Sequence, residues 1–343
     1  MACKKINLAL QGGGAHGAFT WGALEVLLAD PDIEIAGMSG TSAGALNGAA
    51  VKSGMIEAGR AGALENLEAL WRRMGAVGDL HLVNWLTGLG PGAVARAMEY
   101  SLPYSVGETV SRMMSPYVYG PFYRNPLRPV VEAFNFGDVC SEQGPRLFIC
   151  ATNVRTGKAR VFTREEITTD VILASACLPT LFQAVEIADP ETGETDAYWD
   201  GGYTGNPALF PLYDKGLPDD IVIINLNPIE RAEKPVTPQQ IQSRINEISF
   251  NAALLGELRA ISFVQRLIER GALAEGEMKH VKVHMISDDA LMNDLSVATK
   301  TVPTPYILNE LKKAGRVAAE TFLAKHKDDL GTRSSVDLQA TFG

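Results

Sequence analysis

Basic charge is scarce in this chain: 31 Lys and Arg stand against 40 Asp and Glu in 343 residues, a formal net charge of −9. A nucleic-acid binder trades cationic side chains for phosphate counterions, so this balance argues against that class and disfavours electrostatic docking on anionic lipid. Membrane contact would have to be transient or apolar. Cysteine is also sparse. Cys3, Cys140, Cys150 and Cys177 show neither a metal-ligand spacing nor a dense disulfide pattern, and they read as reduced thiols of a cytoplasmic protein. Long apolar runs are missing too. Behind Lys4 and Lys5 the apolar stretch lasts only from Ile6 to Leu10, too short for a signal-peptide core, and nothing approaches the roughly 18 residues of a membrane span. There is no internal repeat and no low-complexity tract.

What is present is an apolar fraction of 46%, enough to bury a large core in one domain or in a domain with an appendage. Ile6 to Leu10 reads as a buried strand, Gln11 to Gly17 as a tight loop, and Ala18 to Leu28 as a helix stopped by Asp30 and Pro31. Ile33 to Met38 is a second strand, and Ala43 to Lys52 a second helix. Strand, helix, strand, helix is the alternation of a parallel sheet covered by helices. Leu64, Leu67, Trp71 and Met74 mark a further amphipathic helix, read as core packing.

From about 80 to 136 the texture changes to prolines, aromatics and methionines. This is either a well-packed irregular insertion or a cap over an acyl-binding groove. Beyond it, 146–153 and 158–162 read as a hairpin across Thr156-Gly157, Ile167 to Cys177 as a helix, 185–187 and 197–199 as short strands, and 221–226 as a buried strand. Asn227 to Pro238 reads as a linker. A stripe of Ile241, Ile245, Ile248, Ala252, Leu255 and Ile261 predicts one or two long helices, 281–286 a strand, and Tyr306 to Lys325 a closing helix. The helical region from Gln239 to Arg270 suits internal packing best and also permits a homo-oligomer. The domain reading is 1–230 catalytic, 231–330 packed on the same domain, and 331–343 a loose tail.

Three motifs carry chemistry. In Gly40-Thr41-Ser42-Ala43-Gly44 a hydroxyl stands between small residues where a strand turns into a helix, the spacing of a nucleophile elbow. Gly12-Gly13-Gly14, between a strand and a helix, would offer backbone N–H groups at a helix N-terminus to a developing oxyanion. The same loop through Gly17 also satisfies the dinucleotide pattern Gly-x-Gly-x-x-Gly. However, Asp32 and Glu34 precede the apolar end of the second strand rather than close it, and that reading is disfavoured. Asp200-Gly201-Gly202 is by itself a turn signal, or a carboxylate aimed into a site.

Taken in order, these motifs resemble the patatin-like phospholipase family over roughly Ile6 to Leu226. The resemblance implies a three-layer α/β/α fold with a mainly parallel central sheet and hydrolysis of lipid acyl esters, of phospholipase A or lysophospholipase type, without metal or organic cofactor. It implies Ser42 as nucleophile, Asp200 as general base, and Gly12, Gly13 and Gly14 as oxyanion hole. Gly17, Gly40, Gly44, Gly201 and Gly202 support the motifs. His16 stands where the family usually carries Arg or Lys, which removes a source of positive field from the loop. A lipid or other acyl-ester substrate is the expected partner, with transient membrane-surface contact.

Other readings stay open on the residues alone. Chain order also permits a triad of Ser42, Asp200 and His280 or His284, the two histidines falling on one face of a strand. Thioesters or polyesters would present a similar acyl carbonyl, and a catalytically silent lipid binder could use the same scaffold. Ser39 reads as a strand residue, while Ser175 and Cys177 read as structural neighbours of the site.

Overall fold

The computed structural model of the protein describes residues 3–77, 90–99, 115–189, 193–231, 234–274 and 276–342. Its strands are β1 (Lys4–Leu10), β2 (Ile33–Gly40), β3 (Arg146–Asn153), β4 (Ala159–Thr163), β5 (Val185–Ala188), β6 (Thr195–Asp200), β7 (Asp220–Ile224) and β8 (Lys282–Ile286). They form one eight-stranded sheet in the order β5-β6-β3-β2-β1-β7-β8, with β4 paired to β3. The β2–β3, β1–β2, β1–β7 and β7–β8 pairs are parallel; β3–β4, β3–β6 and β5–β6 are antiparallel.

The labelled helices are α1 (Gly17–Ala29), α2 (Ala43–Val77), α3 (Pro91–Glu99), α4 (Thr169–Ser175), α5 (Pro238–Glu269), α6 (Val297–Thr301), α7 (Pro305–His326) and α8 (Leu338–Phe342). The two helices expected between Ala43 and Met74 are consecutive parts of α2. They meet at a kink where Gly59 takes a φ of 65°.

The sequence of β7 shows why helices lie on both faces. Val222 and Ile224 point into the larger apolar core with Ile6, Leu8 and Leu10, whereas Ile221 and Ile223 point into a second core with Leu254 and Leu258 of α5. A strand apolar on both sides must be covered on both sides. The result is the three-layer fold that the resemblance implies, with β8 extending the sheet beyond the expected motif region.

Some expectations change. The proposed insertion at 80–136 lies partly outside the described residues. Its described parts include the regular helix α3, with Val94 and Ala95 buried, and two single-turn helices, Arg128–Val131 and Phe136–Val139. The stripe assigned to the Gln239–Arg270 region is also displaced: Ile241, Ile245 and Ile248 are exposed, while Glu247 and Asn251 face inward with Leu254, Leu258 and Ile261. Periodicity misled there because two polar residues occupy the buried face.

The tail is not loose. Ser335 N–H donates to the Val283 carbonyl at 3.1 Å, Ser334 Oγ accepts the Val283 N–H at 3.1 Å, and Leu338 is buried. The tail covers the otherwise unpaired edge of β8, a demand of sheet edges that polar composition conceals.

Candidate active site

Leu10 lies opposite Gly40 in the β1–β2 ladder, so the loop after one strand and the turn after the other emerge side by side at the carboxyl edge of the sheet. The turn into α2 holds Ser42 at a φ of 54°, left-handed backbone that residues with side chains seldom adopt. Its small neighbours make the turn fit. A Cβ on Gly44 would sit 2.0 Å from the Leu10 carbonyl oxygen, one on Gly40 would meet the Gly44 carbonyl, and one on Gly17 would meet Ala43. The Ser42 N–H donates to Ser175 Oγ at 2.9 Å, and the Ser175 hydroxyl donates to the Cys150 carbonyl at 2.7 Å.

Asp200 reaches the same level from the other side. β6 runs antiparallel to β3 with Asp200 opposite Ala151, two residues past the Ile149 that faces Gly40. The Asp200 carboxylate is buried. It accepts the Gly202 N–H at 2.7 Å, and the Ser42 hydroxyl stands near enough to lower its pKa slightly. Burial outweighs both influences and pushes its pKa up to about 7. Gly201 lets this strand end press on β3, since a Cβ there would lie 2.1 Å from the Cys150 carbonyl oxygen. Gly202 packs under the ring of Phe250, which also meets Tyr203 edge-on with centroids 5.1 Å apart.

The glycine loop closes the third side. Gly12 approaches so near that a Cβ would stand 2.8 Å from Ser42 Cβ. Its N–H donates to Asn206 Oδ1 at 2.7 Å, and its carbonyl accepts Asn227 Nδ2 at 3.1 Å. Of the three glycines expected to offer N–H groups, Gly12 therefore has its donor engaged. The N–H groups of Gly13 and Gly14 have no acceptor among the described residues. His16 is buried with Nε2 2.8 Å from Thr299 Oγ1; burial first, and then the Lys300 charge, hold its pKa well below the usual imidazole range. It is a neutral ring.

The two other histidines do not meet Ser42. His284 is buried on β8, with Nε2 3.0 Å from Asp220 Oδ1 and Nδ1 3.1 Å from Ser335 Oγ, and Asp220 begins β7 at the amino edge of the sheet. His280 precedes β8 and is exposed, so the two do not share a strand face. Burial pushes the thiols of Cys150 and Cys177 up to about 12, leaving both inert. Ser39 turns its hydroxyl to the Ala208 carbonyl. Among the described residues no three His, Cys, Asp or Glu side chains gather as a metal site, and no helix is long and apolar enough to cross a membrane.

Sequence reasoning placed Asn206 only in a stretch, Tyr203 to Pro207, walling the pocket past Asp200, gave Asn227 and Lys300 no part in the site, and gave Ser175 no bond to make. Only the adjacency of Asn206 to the Asp200 motif was a signal for any of them.

A small-residue elbow on a mainly parallel sheet, with a buried carboxylate beside its serine, defines the class of α/β proteins that hydrolyse esters. The sequence profile of the patatin-like phospholipases matches residues 8–213, and the chain belongs to that family. It is an ester-bond hydrolase acting on lipid acyl groups. No curated protein matches the sequence significantly. Among solved structures, VipD from Legionella pneumophila is similar at 14% identity over 94% of this chain and 67% of its own, with a TM-score of 0.43. The ExoU–SpcU complex of the type III secretion system of Pseudomonas aeruginosa is similar at 18% identity and a TM-score of 0.27, covering 95% of this chain and 61% of that one.

Proposed function

We propose that the protein is a phospholipase A or lysophospholipase in which Ser42 attacks the acyl carbonyl and Asp200 is its base. The observation that carries this reading is the Ser42 hydroxyl beside a buried Asp200 carboxylate whose pKa lies near 7. An ordinary carboxylate is too weak a base for a serine. One raised to neutrality is better matched to the proton it must take, yet still ionised above that pH.

In the first half-reaction Asp200 accepts the Ser42 proton as Oγ bonds to the ester carbon. The carbonyl oxygen becomes an anion, received by the N–H groups of Gly13 and Gly14, which are free to donate at the start of the short helical turn before α1. Gly12 serves by close approach to Ser42. The tetrahedral intermediate collapses, the alcohol leaves with the proton from Asp200, and an acyl-Ser42 remains. Water, deprotonated by Asp200, then releases the fatty acid by the same steps in reverse order.

Domain organisation is part of the proposal: a catalytic unit through about residue 230, completed by α5 to α8 and β8. The test is labelling with a fluorophosphonate followed by a hydrolysis panel of phospholipid, lysophospholipid, neutral glyceride and acyl thioester. Labelling at Ser42 and turnover lost in Ser42→Ala and Asp200→Asn are expected. A folded Asp200→Asn variant with near-normal turnover would overturn the dyad.

A further inference from the structure

The helix α6 is pressed against the glycine loop at two points and against Asn227 at a third. The Lys300 carbonyl oxygen would lie 2.3 Å from a Cβ on Gly14, Thr299 holds His16, and the Lys300 ammonium donates to Asn227 Oδ1 at 2.8 Å. Asn227 passes that contact on. Its Nδ2 donates to the Gly12 carbonyl at 3.1 Å, and its backbone N–H is fixed by Gln11 Oε1 at 2.9 Å. The Gly12 carbonyl and the Gly13 N–H belong to one planar peptide unit, so pulling electron density toward the oxygen makes the N–H a stronger donor. The chain of bonds thus runs from a cation to one of the two loop N–H groups that meet no acceptor among the described residues.

Burial lowers the pKa of that ammonium, and the charge of Glu247 opposes the loss. Lys300 faces Glu247 of α5, which is already shared by Arg231 at 2.6 and 2.8 Å and by Arg244 at 3.3 Å. His16 adds no charge. Three cations therefore surround one carboxylate behind the loop. The charge there is positive in a water-poor setting, where an ion acts over a longer range than in solvent.

We propose that Lys300 is a positioning residue of the reaction, acting through Asn227 to polarise the Gly12–Gly13 peptide and so strengthen the Gly13 N–H as a donor to the oxyanion. This rests on the Ser42–Asp200 reading. The interaction exists mainly in the transition state, when the oxygen carries charge, so it belongs in kcat rather than KM.

The test compares wild type with Lys300→Gln, which keeps a donor for Asn227 without the charge, and with Lys300→Arg, which restores the charge. The readouts are kcat and KM on a soluble chromogenic ester, the rate of Ser42 phosphonylation by a neutral fluorophosphonate, and the pH profile. Lys300→Gln is expected to lower kcat and phosphonylation together by about 10-fold, less than the 10²–10³ lost when an oxyanion donor is removed outright, with KM within about two-fold. Lys300→Arg is expected to recover most of the rate. Burial lowers the Lys300 pKa from the ordinary lysine value, so the wild-type kcat should fall on the alkaline side as the ammonium deprotonates. That limb should vanish in Lys300→Gln and move upward in Lys300→Arg.

Wild-type kcat and an unchanged alkaline limb in Lys300→Gln would overturn the relay, as would a loss confined to folding or KM. Should Lys300→Gln fail to fold, the Lys300→Arg shift of the alkaline limb decides alone. If wild type is not labelled at Ser42, the Ser42–Asp200 reading itself fails. If Ser42 is labelled and Ser42→Ala is dead while Lys300→Gln behaves as wild type, only the relay fails.

Discussion

The backbone N–H of Ser42 is held by the hydroxyl of Ser175, 2.9 Å away and 133 residues later in the chain. That bond ties a residue with left-handed backbone to a distant helix, beside the turn's own bonds from Gly44 N–H to the Thr41 carbonyl and from Leu46 N–H to the Ser42 carbonyl. Ser175→Ala leaves a buried N–H and the Cys150 carbonyl without their shared partner, so it should cost about 1–3 kcal/mol of stability. The freed elbow should also lower kcat at least about 10-fold, because small displacements of a nucleophile are costly. Urea unfolding and ester turnover on the folded fraction check both.

Asp200 titrates near 7 in the folded protein and near 3.8 when unfolded, so between those values the native state binds the extra proton. Stability therefore falls as pH rises from about 4 to about 7, while kcat/KM rises through about 7 as the base ionises. Asp200→Asn should abolish turnover and be the more stable protein at pH 8, by an amount on the order of a few kcal/mol. Melting temperatures of the two proteins across that range give the measurement.

Two glycine substitutions should move in opposite directions. Gly44→Ala drives a methyl into the Leu10 carbonyl, and a loss of more than about 3 kcal/mol is expected. Gly256→Ala, on the exposed face of α5 with nothing within 4 Å of the new methyl, should gain about 0.5–1 kcal/mol from helix propensity. Denaturant midpoints separate the cases.

His284→Ala should break a buried contact with Asp220 and cost about 3–5 kcal/mol, yet leave kcat per folded molecule within about two-fold. Active-site titration with a fluorophosphonate supplies the folded fraction. A loss of several orders of magnitude in turnover would restore the triad.

The sequence was informative wherever a local rule governs. The elbow at Ser42 and the loop at Gly12 to Gly14 announce themselves because only small residues fit where a strand turns tightly into a helix. The strand ending in Asp200 was also legible, from its short apolar run and the glycines after it. Where a polar residue is buried by a distant partner, the pattern misled. Glu247 and Asn251 break the apolar face of α5 to serve Arg231 and Gln11, and the residues after Gly331 look solvated yet seal the edge of β8.

Sequence alone thus determined the kind of fold and singled out Ser42 as the candidate nucleophile, since both follow from the spacing of neighbours along the chain. Only the tertiary structure decided what surrounds those residues: that Asp200 is dry enough to titrate near neutrality, that Asn206 takes the Gly12 N–H while those of Gly13 and Gly14 meet no acceptor among the described residues, and that a lysine far along the chain stands behind them. Burial and hydrogen-bond partnership are properties of what packs around a group, and residues hundreds of positions apart supply that packing.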